Sequence, residues 1–287
     1  MESWRNRWGV RGGLPRLSGG MSRRDRRGVG ERYLPPFLHY ALKVWERDLI
    51  VWTRYWWTSL VGAIGEPVLY FLALGYGLGA YIQQIEGMSY VQFLAPALIA
   101  SAVMHSASFE TTYSSYTRME IQKTFHSIAV TPVGLGEVIA GEILWGATKS
   151  LLSGGIMFAA VACLGLIHSL HALWLIPVLV VEGLLFSSLG MLITSFARDY
   201  DFFTYYFTLF LEPMFLFSGT FFPLRQLPVI LQRVAWLLPL SHPVAIARSL
   251  FYGYDGGNLI LRFVWLTLLA LFCSHWAIRR MVKRLVV

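Results

Sequence analysis

The chain has 287 residues, of which 56% are hydrophobic and 14% are charged, and its net charge is +8. An average soluble domain is about 25% charged, so this composition excludes an ordinary soluble domain. Several separate apolar runs near 20 residues long indicate a polytopic membrane protein. The basic residues gather at the ends of the chain, as membrane topology would place them, and so they do not indicate a nucleic-acid partner.

Residues 1–35 are rich in Arg and Gly and contain no apolar run. A secretory signal needs an apolar region of about 7–15 residues, so this segment is not one. It is predicted to be a disordered cytoplasmic tail. A second methionine, Met21, is an alternative start of translation, and the sequence does not decide between Met1 and Met21.

Residues 36–57 have the pattern of an amphipathic helix that lies in the membrane interface. Apolar residues recur at helical spacing, namely Phe37, Tyr40, Ala41, Val44, Trp45, Leu49 and Trp52. Charged residues fill much of the other face, namely Lys43, Glu46, Arg47 and Asp48. The alternative is a soluble helix that packs on a partner.

Six apolar segments are predicted to cross the membrane, in an all-α fold. They are Thr58–Gly79, Val91–Tyr113, Glu137–Leu166, Ala172–Phe196, Phe202–Phe222 and Asn258–Ile278. Arg and Lys concentrate before the first span and after the last, which places both termini in the cytoplasm. Arg225, Arg233 and Arg248 are exceptions on the outer side. The two cysteines, Cys163 and Cys273, lie in apolar runs and are expected to be buried.

The segment from Phe217 to His242 separates the fifth and sixth spans but cannot span a membrane itself. Proline breaks a helix, and this segment is cut by Pro223, Pro228 and Pro239. Its longest uninterrupted piece, Val229–Leu238, would cover roughly half of a hydrocarbon core of about 30 Å. We therefore predict short re-entrant helices that form an extracytoplasmic lid, with Gly219 allowing close packing where the fifth span ends.

The loop after the second span, Thr117–Pro132, mixes apolar and charged residues. A short helix is predicted there, and it should end near Thr131 because the residue before a proline avoids the helical region. The alternative is a solvated connector.

The order of these pieces resembles that of a known family. A Phe-Ser-Gly-Thr-Phe-Phe-Pro run ends the fifth span, a broken helix follows, and Leu-Pro-Leu-Ser-His-Pro comes next. This arrangement is similar to the type-2 ABC exporter permeases, within them most of all to the NodJ-like, lipo-oligosaccharide branch. The resemblance covers roughly Pro35 to Lys283. It implies an elbow helix at 36–57 and an ABC transmembrane type-2 domain at 58–284, in a bacterial inner membrane.

By this resemblance two copies of the chain pair with two nucleotide-binding subunits, which hold the ATP and Mg²⁺. The loop after the second span then contains the coupling helix that docks on the ATPase subunit. Its expected docking residues are Met119, Ile121, Lys123, Phe125, His126 and Ile128. The expected residues of the transport path or its gate are Glu66, Glu212, Gly219, Phe221, Phe222, Pro223, Trp236 and His242.

Ionisable residues in or near the predicted spans are candidates for function by default. They are Glu66, Glu110, Glu142, Lys149, Glu182 and Glu212. They either line a polar path or form hydrogen bonds between helices. The structural alternative is favoured for Glu142 and Lys149, which are two helical turns apart and need not pair with each other.

No motif in the sequence supports catalysis in this chain. It has no G-x-x-x-x-G-K-[ST] loop, no H-E-x-x-H and no G-x-S-x-G. His168 and His171 lack a third ligand, so a metal site there is disfavoured, and no cofactor is expected in the chain. The resemblance to the type-2 ABC exporter permeases implies a permease that exports an amphipathic glycolipid, lipo-oligosaccharide or polysaccharide-like substrate and contacts membrane lipids. The alternatives are a drug-efflux permease, a proton-coupled secondary transporter that uses Glu66 and Glu212, and a membrane scaffold.

Overall fold

The computed structural model describes residues 36–82, 84–167, 170–253 and 257–286, without the side chains of residues 36, 60–64, 66 and 67. The predicted tail at 1–35 and His168 lie outside the described residues. Within the described part the fold is all-helical, as predicted, and its only extended pairing is an isolated bridge between Ile85 and Met88.

The described α-helices are α1 (Pro36–Trp52), α2 (Trp56–Leu72), α3 (Tyr90–Phe109), α4 (Thr124–Ala129), α5 (Leu135–Cys163), α6 (Leu175–Thr194), α7 (Asp201–Tyr206), α8 (Glu212–Phe215), α9 (Val229–Leu237), α10 (Ser241–Tyr252) and α11 (Leu259–Val286). Wider π-helical turns extend or join several of them, at Ala73–Gly77, Glu110–Ser114, Thr117–Ile121, Phe207–Leu211 and Leu216–Thr220. Single-turn π-bulges of this kind are often found at functional sites.

Four helical segments of the described chain are long and apolar enough to cross a membrane. They are Tyr90–Ile121, Leu135–Cys163, Leu170–Thr194 and Leu259–Val286. These segments correspond to the second, third, fourth and sixth predicted spans. The first and fifth predicted spans are helical but do not meet this test, so the number of six spans stays a prediction.

Two apolar clusters divide the bundle along its length. One cluster joins α1, α4, the start of α5 and the last turns of α11, through residues such as Val44, Phe125, Val138 and Met281. We call this end of the bundle the α4 end. The other cluster includes the start of α3 together with α10, and we call its end the α9 end. The described beginning and end of the chain therefore lie at the same end of the bundle.

The segment between the fifth and sixth predicted spans forms two short helices at a sharp angle. The helix α9 has nine residues and begins directly after Pro228. The axis of α10 is bent by 92° from that of α9, at a break that contains Pro239. This broken geometry follows from the prolines, because each of them removes a backbone donor. The depth that the pair reaches in a membrane stays a prediction.

The helical path of the fifth predicted span breaks at Gly219, three residues before the predicted end of that span, because of the backbone conformation of this glycine. Its φ angle is +85°, in the left-handed region, and a Cβ placed on it would lie 2.9 Å from a side-chain carbon of Leu224. Only glycine adopts this conformation without strain. The sequence predicted close packing at this position, and the structure adds the sharp turn that the packing requires.

Arg248 fastens this turn to the start of α3. The side chain is buried, and it donates hydrogen bonds to the carbonyl oxygens of Phe93, Gly219 and Thr220. The guanidinium carbon also lies 3.6 Å from the centroid of the Phe93 ring. Arg248 is therefore an interior cation, which explains its place outside the positive-inside pattern.

Two side chains lie elsewhere than the sequence suggested. Cys163 is exposed at the end of α5, whereas Cys273 is buried as expected. Asp48, which was assigned to the solvent-facing side of the amphipathic helix, is only 4% exposed. The helix α1 packs along α5, so part of its charged face points into the bundle.

Replacing Gly219 with alanine should destabilise the protein. A left-handed backbone at a non-glycine residue costs about 1–2 kcal/mol, so the midpoint of thermal unfolding of the purified protein should fall by about 2–8 °C. Gly155→Ala is the matched control, because its backbone is helical and nothing lies within 4 Å of the position that a Cβ would take there. That variant should keep or raise the midpoint. Equal midpoints in the two variants would contradict the assignment.

Candidate functional site

The helix α4 is a short surface element that interrupts the connection between α3 and α5. Lys123, with φ of 53°, breaks the helical path at the end of the second span, and α4 begins at the next residue. A positive φ is uncommon for a residue with a side chain, so this break is a defined feature of the chain. The helix ends at Ala129, two residues before Thr131, in agreement with the predicted effect of Pro132.

Two of the residues expected to dock on a partner are buried in this chain instead. Phe125 and Met119 have no exposed surface and belong to the apolar cluster at the α4 end, with Val138 and Ile139 of α5. Their apolar character made them candidates for a docking groove, but it serves to fasten α4 to its own bundle. This corrects the expected role of Phe125 and Met119.

The accessible apolar surface at this end is provided by neighbouring residues. Ile121 is 67% exposed just before α4, and Val130 is 87% exposed just after it. Lys123 and His126 are also exposed, and Ile128 is half-buried. The result is a rigidly held helix with an apolar residue on either side and charged or polar side chains between them.

A buried charge network lies directly behind this helix. Arg118, at the end of the second span, donates to both oxygens of Glu142 on α5 through its Nε atom, at 3.1 and 3.0 Å, and its Nη2 lies 2.6 Å from Oε2. Its Nη1 atom lies 2.8 Å from Oε1 of Glu110. The two carboxylates are almost fully buried, at 0% and 1% exposure. One guanidinium thus holds two carboxylates of two different helical segments.

The two carboxylates have further donors around them. The Nζ atom of Lys149 donates to Oε2 of Glu110 at 2.6 Å, and the indole nitrogen of Trp145 donates to Oε1 at 3.1 Å. The hydroxyl of Ser115 donates to Oε2 of Glu142 at 2.8 Å. Buried ionised groups need such additional hydrogen bonds, because charge–charge attraction alone does not offset the loss of water.

The amphipathic helix α1 completes the network. Arg47 lies 3.3 Å from Oε1 of Glu142 and also forms an ion pair with the adjacent Asp48. Burial, together with the nearby Glu142, raises the pKa of Asp48 to about 7, although Arg118 and Arg47 act in the opposite direction. The charge network therefore joins α1, the second span and α5. Its members are Arg47, Asp48, Glu110, Arg118, Glu142 and Lys149.

The network agrees with the structural alternative for Glu142 and Lys149, which bond to other helices and not to each other. The sequence did not reveal the partners Arg118 and Glu110. A signal was present in the spacing, since Glu110 and Arg118 are about two helical turns apart, as are Glu142 and Lys149. The sequence alone does not show that the second span and α5 are neighbours. It therefore does not show that these two pairs of side chains meet.

A cavity of about 410 Å³ opens beside the charge network. Its walls come from α1 and the turn after it, from the end of the second span and from α5. The lining residues are Arg47, Asp48, Val51, Tyr55, Ser114, Thr117, Arg118, Gln122, Thr124, Trp145 and Lys149. Nearly all of them carry a polar group as well as apolar atoms, and we call this cavity, at the level of the amphipathic helix, the chamber.

A second, much smaller cavity lies halfway along the bundle. It has a volume of about 30 Å³ and brings Glu212 of the fifth predicted span together with His105 and Ser101 of α3 and Tyr70 of α2. Glu212 is exposed on the outer surface of the bundle there. An ionisable side chain at this depth needs a wet path or another protein surface beside it. Glu66, the other carboxylate predicted for the path, has a side chain outside the described residues.

The remaining gate residues lie at the α9 end. His242 is buried, and its ring centroid lies 4.3 Å from that of Trp265 and 5.4 Å from that of Trp236. Pro223 is buried, and Phe221 and Phe222 are half-buried. The sequence placed Trp236 and His242 in one segment as candidate gate residues, but it gave no sign that their rings meet or that a third ring, from α11, joins them.

Glu182 stands apart from all these groups. It is fully buried in α6, and neither of its carboxylate oxygens has a hydrogen-bond partner among the described residues. The described residues also include no group of three or more His, Cys, Asp or Glu side chains that could hold a metal ion.

Comparison with known proteins assigns the chain to a family. Residues 41–252 match the family described as "ABC-2 type transporter". The matched range contains α4, the whole charge network and the broken helices α9 and α10. The chain belongs to the ABC-2 type transporter family. It is accordingly a multi-pass membrane protein, as its four long apolar helices also indicate.

Individual relatives place the chain within the ABC-2 type transporter family. Nodulation protein J of Rhizobium leguminosarum bv. viciae is 39% identical over 220 residues, which is 77% of this chain and 85% of that protein. Nodulation protein J of Sinorhizobium fredii is 36% identical over 244 residues, 85% of this chain and 93% of that protein. Inner membrane transport permease YadH of Escherichia coli is 29% identical over 225 residues, which is 78% of this chain and 87% of that protein. The predicted membership of the NodJ-like branch is thus confirmed.

Removing one buried carboxylate from the charge network of this ABC-2 permease should lower its free energy of unfolding. Glu142→Gln leaves the guanidinium of Arg118 without its bidentate partner, and breaking a buried ion pair in this way costs about 3–5 kcal/mol. Thermal unfolding of the purified variant should show a markedly lower midpoint. Glu46→Gln is the control, because Glu46 pairs with Lys43 on the exposed face of α1 and should matter little. Equal midpoints would contradict the role of the network.

The raised pKa of Asp48 should make stability depend on pH. The raised pKa means that folding favours the protonated carboxyl of Asp48. As the pH rises from about 4 to about 7, the free energy of unfolding should therefore fall by at most about 1.4 kcal/mol per pH unit. In Asp48→Asn this group no longer titrates. The unfolding midpoint of Asp48→Asn minus that of wild type should therefore increase from pH 5 to pH 8. Midpoints that change with pH in parallel in the two proteins would contradict this.

Proposed function

We propose that the chain is the permease subunit of an ATP-driven exporter that moves an amphipathic glycolipid, lipo-oligosaccharide or similar substrate from the cytoplasm or the inner leaflet. Membership of the ABC-2 type transporter family supports an ABC permease and disfavours a proton-coupled secondary transporter. The glycolipid class rests on the similarity to the Nodulation protein J relatives. The observation that carries the mechanism is the buried anchoring of α4 to α5 through Phe125, in a chain segment that leads directly to Arg118 of the charge network.

The energy is proposed to come from a separate ATPase subunit, because the sequence contains no phosphate-binding loop. Two such subunits would hold ATP and Mg²⁺ and would pair with two copies of this chain in the inner membrane. Both termini and α4 would then face the cytoplasm, which agrees with the concentration of Arg and Lys before the first span and after the last.

The anchoring of α4 supports a mechanical role. Phe125 fastens the helix to the start of α5, and the loop before it leads directly to Arg118. A push on α4 would therefore move α5, the end of the second span and α1 together, since the charge network joins all three. Movement of packed elements as rigid bodies is a common way to change the exposure of a path.

The path is proposed to run along the surface that carries Glu212, His105 and Tyr70, between two copies of the chain. Support comes from the position of Glu212, a carboxylate that is exposed halfway along an apolar bundle. Exposed aromatic residues flank it on the same helices, among them Tyr205 and Phe210. The helices α9 and α10 would close the outer end of this path.

A charge placed on the exposed part of the α4 region should disrupt assembly with the ATPase. Val130→Asp should reduce copurification with the partner subunit and ATP-dependent export by about tenfold or more, because an interface that loses about 1.4 kcal/mol weakens tenfold. The protein itself should remain folded, since Val130 is 87% exposed. Copurification is measured with a tag on the permease, and export with vesicles that contain both subunits.

Two further variants sharpen this experiment. Leu170→Asp is the matched control. Leu170 is 85% exposed and precedes α6 at the end of the bundle opposite α4, so this variant should copurify with the ATPase as well as wild type does. Phe125→Asp should instead unfold the permease, because Phe125 is buried in its own core. A Val130→Asp protein that binds the ATPase and transports as well as wild type would overturn the proposed docking surface.

A further inference from the structure

The chamber beside the charge network is large enough for a ligand. Its volume of about 410 Å³ lies within the range of roughly 300–1,000 Å³ that is usual for small-molecule sites, and one water occupies about 30 Å³. The chamber lies between the end of α1, the end of the second span and α5, next to the surface of the bundle. A ligand can therefore reach it from the leaflet on which α1 lies.

The charges around the chamber are balanced. The three basic side chains of the lining are all engaged: Arg118 with two carboxylates, Lys149 with Glu110, and Arg47 with Asp48 and Glu142. A phosphate or carboxylate group would have to compete with these buried carboxylates for the same cations. Above the pKa of Asp48, at about 7, three carboxylates balance the three basic side chains, and the chamber then offers no net positive charge that would hold an anion.

The lining offers many hydrogen-bonding groups of both kinds. Hydroxyl and amide groups come from Ser114, Gln122 and Thr124, on the wall opposite α1. Hydroxyl and side-chain amide groups can both donate and accept hydrogen bonds, and they therefore suit a ligand whose groups do the same, as sugar hydroxyls do.

Aromatic and apolar groups frame the same chamber. The ring of Tyr55 is 43% exposed at the chamber wall, and Trp145 forms part of the lining. Outside it, Ile50, Trp56 and Trp57 are exposed at the level where indole rings anchor a protein to the membrane surface. A ligand with a hydroxyl-rich head and an acyl chain would place its head in the chamber and keep its chain in the bilayer.

We propose that this chamber binds the uncharged sugar head of an amphipathic substrate in the leaflet of α1, before the substrate enters the transport path. The proposal rests on the proposed function and adds to it a specific binding site. Gln122, Thr124 and Tyr55 contact the sugar, next to the charge network that contains Arg118.

The test uses photoreactive alkyl glycosides on the purified full-length permease in phosphatidylcholine nanodiscs. An alkyl maltoside that carries a diazirine at the sugar should label peptides that contain Tyr55 and Gln122, as mapped by mass spectrometry. Probes with the same alkyl chain but a sulfate or phosphocholine head distinguish a sugar site from an anion site or from unspecific lipid contact. Free maltose in excess should reduce the labelling by the maltoside.

Two substitutions narrow the chamber from opposite walls. Val51→Trp fills it from α1, and Gln122→Trp fills it from the end of the second span. In each variant, maltoside labelling of the wall that was not substituted should fall about tenfold, which corresponds to about 1.4 kcal/mol of binding free energy. Ile50→Trp is the matched control, since Ile50 neighbours Val51, is 54% exposed and does not line the chamber. Thermal unfolding checks that all three variants are folded.

The outcomes separate this inference from the proposed function. Labelling of the chamber by the maltoside, lost in either Trp variant and kept in Ile50→Trp, supports the sugar site. Equal or stronger labelling by the sulfate probe, or labelling that both Trp variants leave unchanged, overturns it. Binding needs no ATPase, so a permease that exports with its partner but shows no chamber labelling refutes the sugar site alone. Chamber labelling without any export refutes the proposed function alone.

Discussion

The guanidinium of Arg118, shared between Glu110 and Glu142, is the interaction on which the α4 end of this permease depends. Ions taken out of water lose several kcal/mol of hydration each, and that loss is offset only when geometry and additional hydrogen bonds are good. Here the bidentate contact with Glu142 and the further donors around both carboxylates meet that condition. The same cost makes the arrangement specific, because a helix that shifts out of register leaves a buried charge without a partner.

Beside this network lies α4, a surface helix of only six residues. A helix that short does not form by itself in water. It is held by Phe125, which is buried in the apolar cluster with residues of α1 and α5, so its exposed residues have a defined position relative to these two helices. The outward surface of this region includes the exposed apolar side chains of Ile121 and Val130.

The α9 end uses a different principle. Its backbone is broken by prolines and by the left-handed turn at Gly219, and backbone of this kind is tolerated in a membrane protein only where its polar groups find partners. Arg248 supplies them, because it donates to the carbonyl oxygens of Gly219 and Thr220 and links them to the start of α3. One end of the bundle is thus fixed by paired charges and the other by a single interior cation bonded to main chain.

The sequence by itself determined the class of the protein, the positions of the long apolar helices and the breaks in the segment after the fifth predicted span, because apolar length and proline act locally along the chain. It also identified the short helix before Pro132. Only the tertiary structure decided which faces of these elements are covered. Phe125 and Asp48 became interior residues, and Arg118 and Glu110 became partners, because α1, α3 and α5 pack against one another. Burial and pairing between distant segments are properties of that packing, and a local pattern of residues does not contain them.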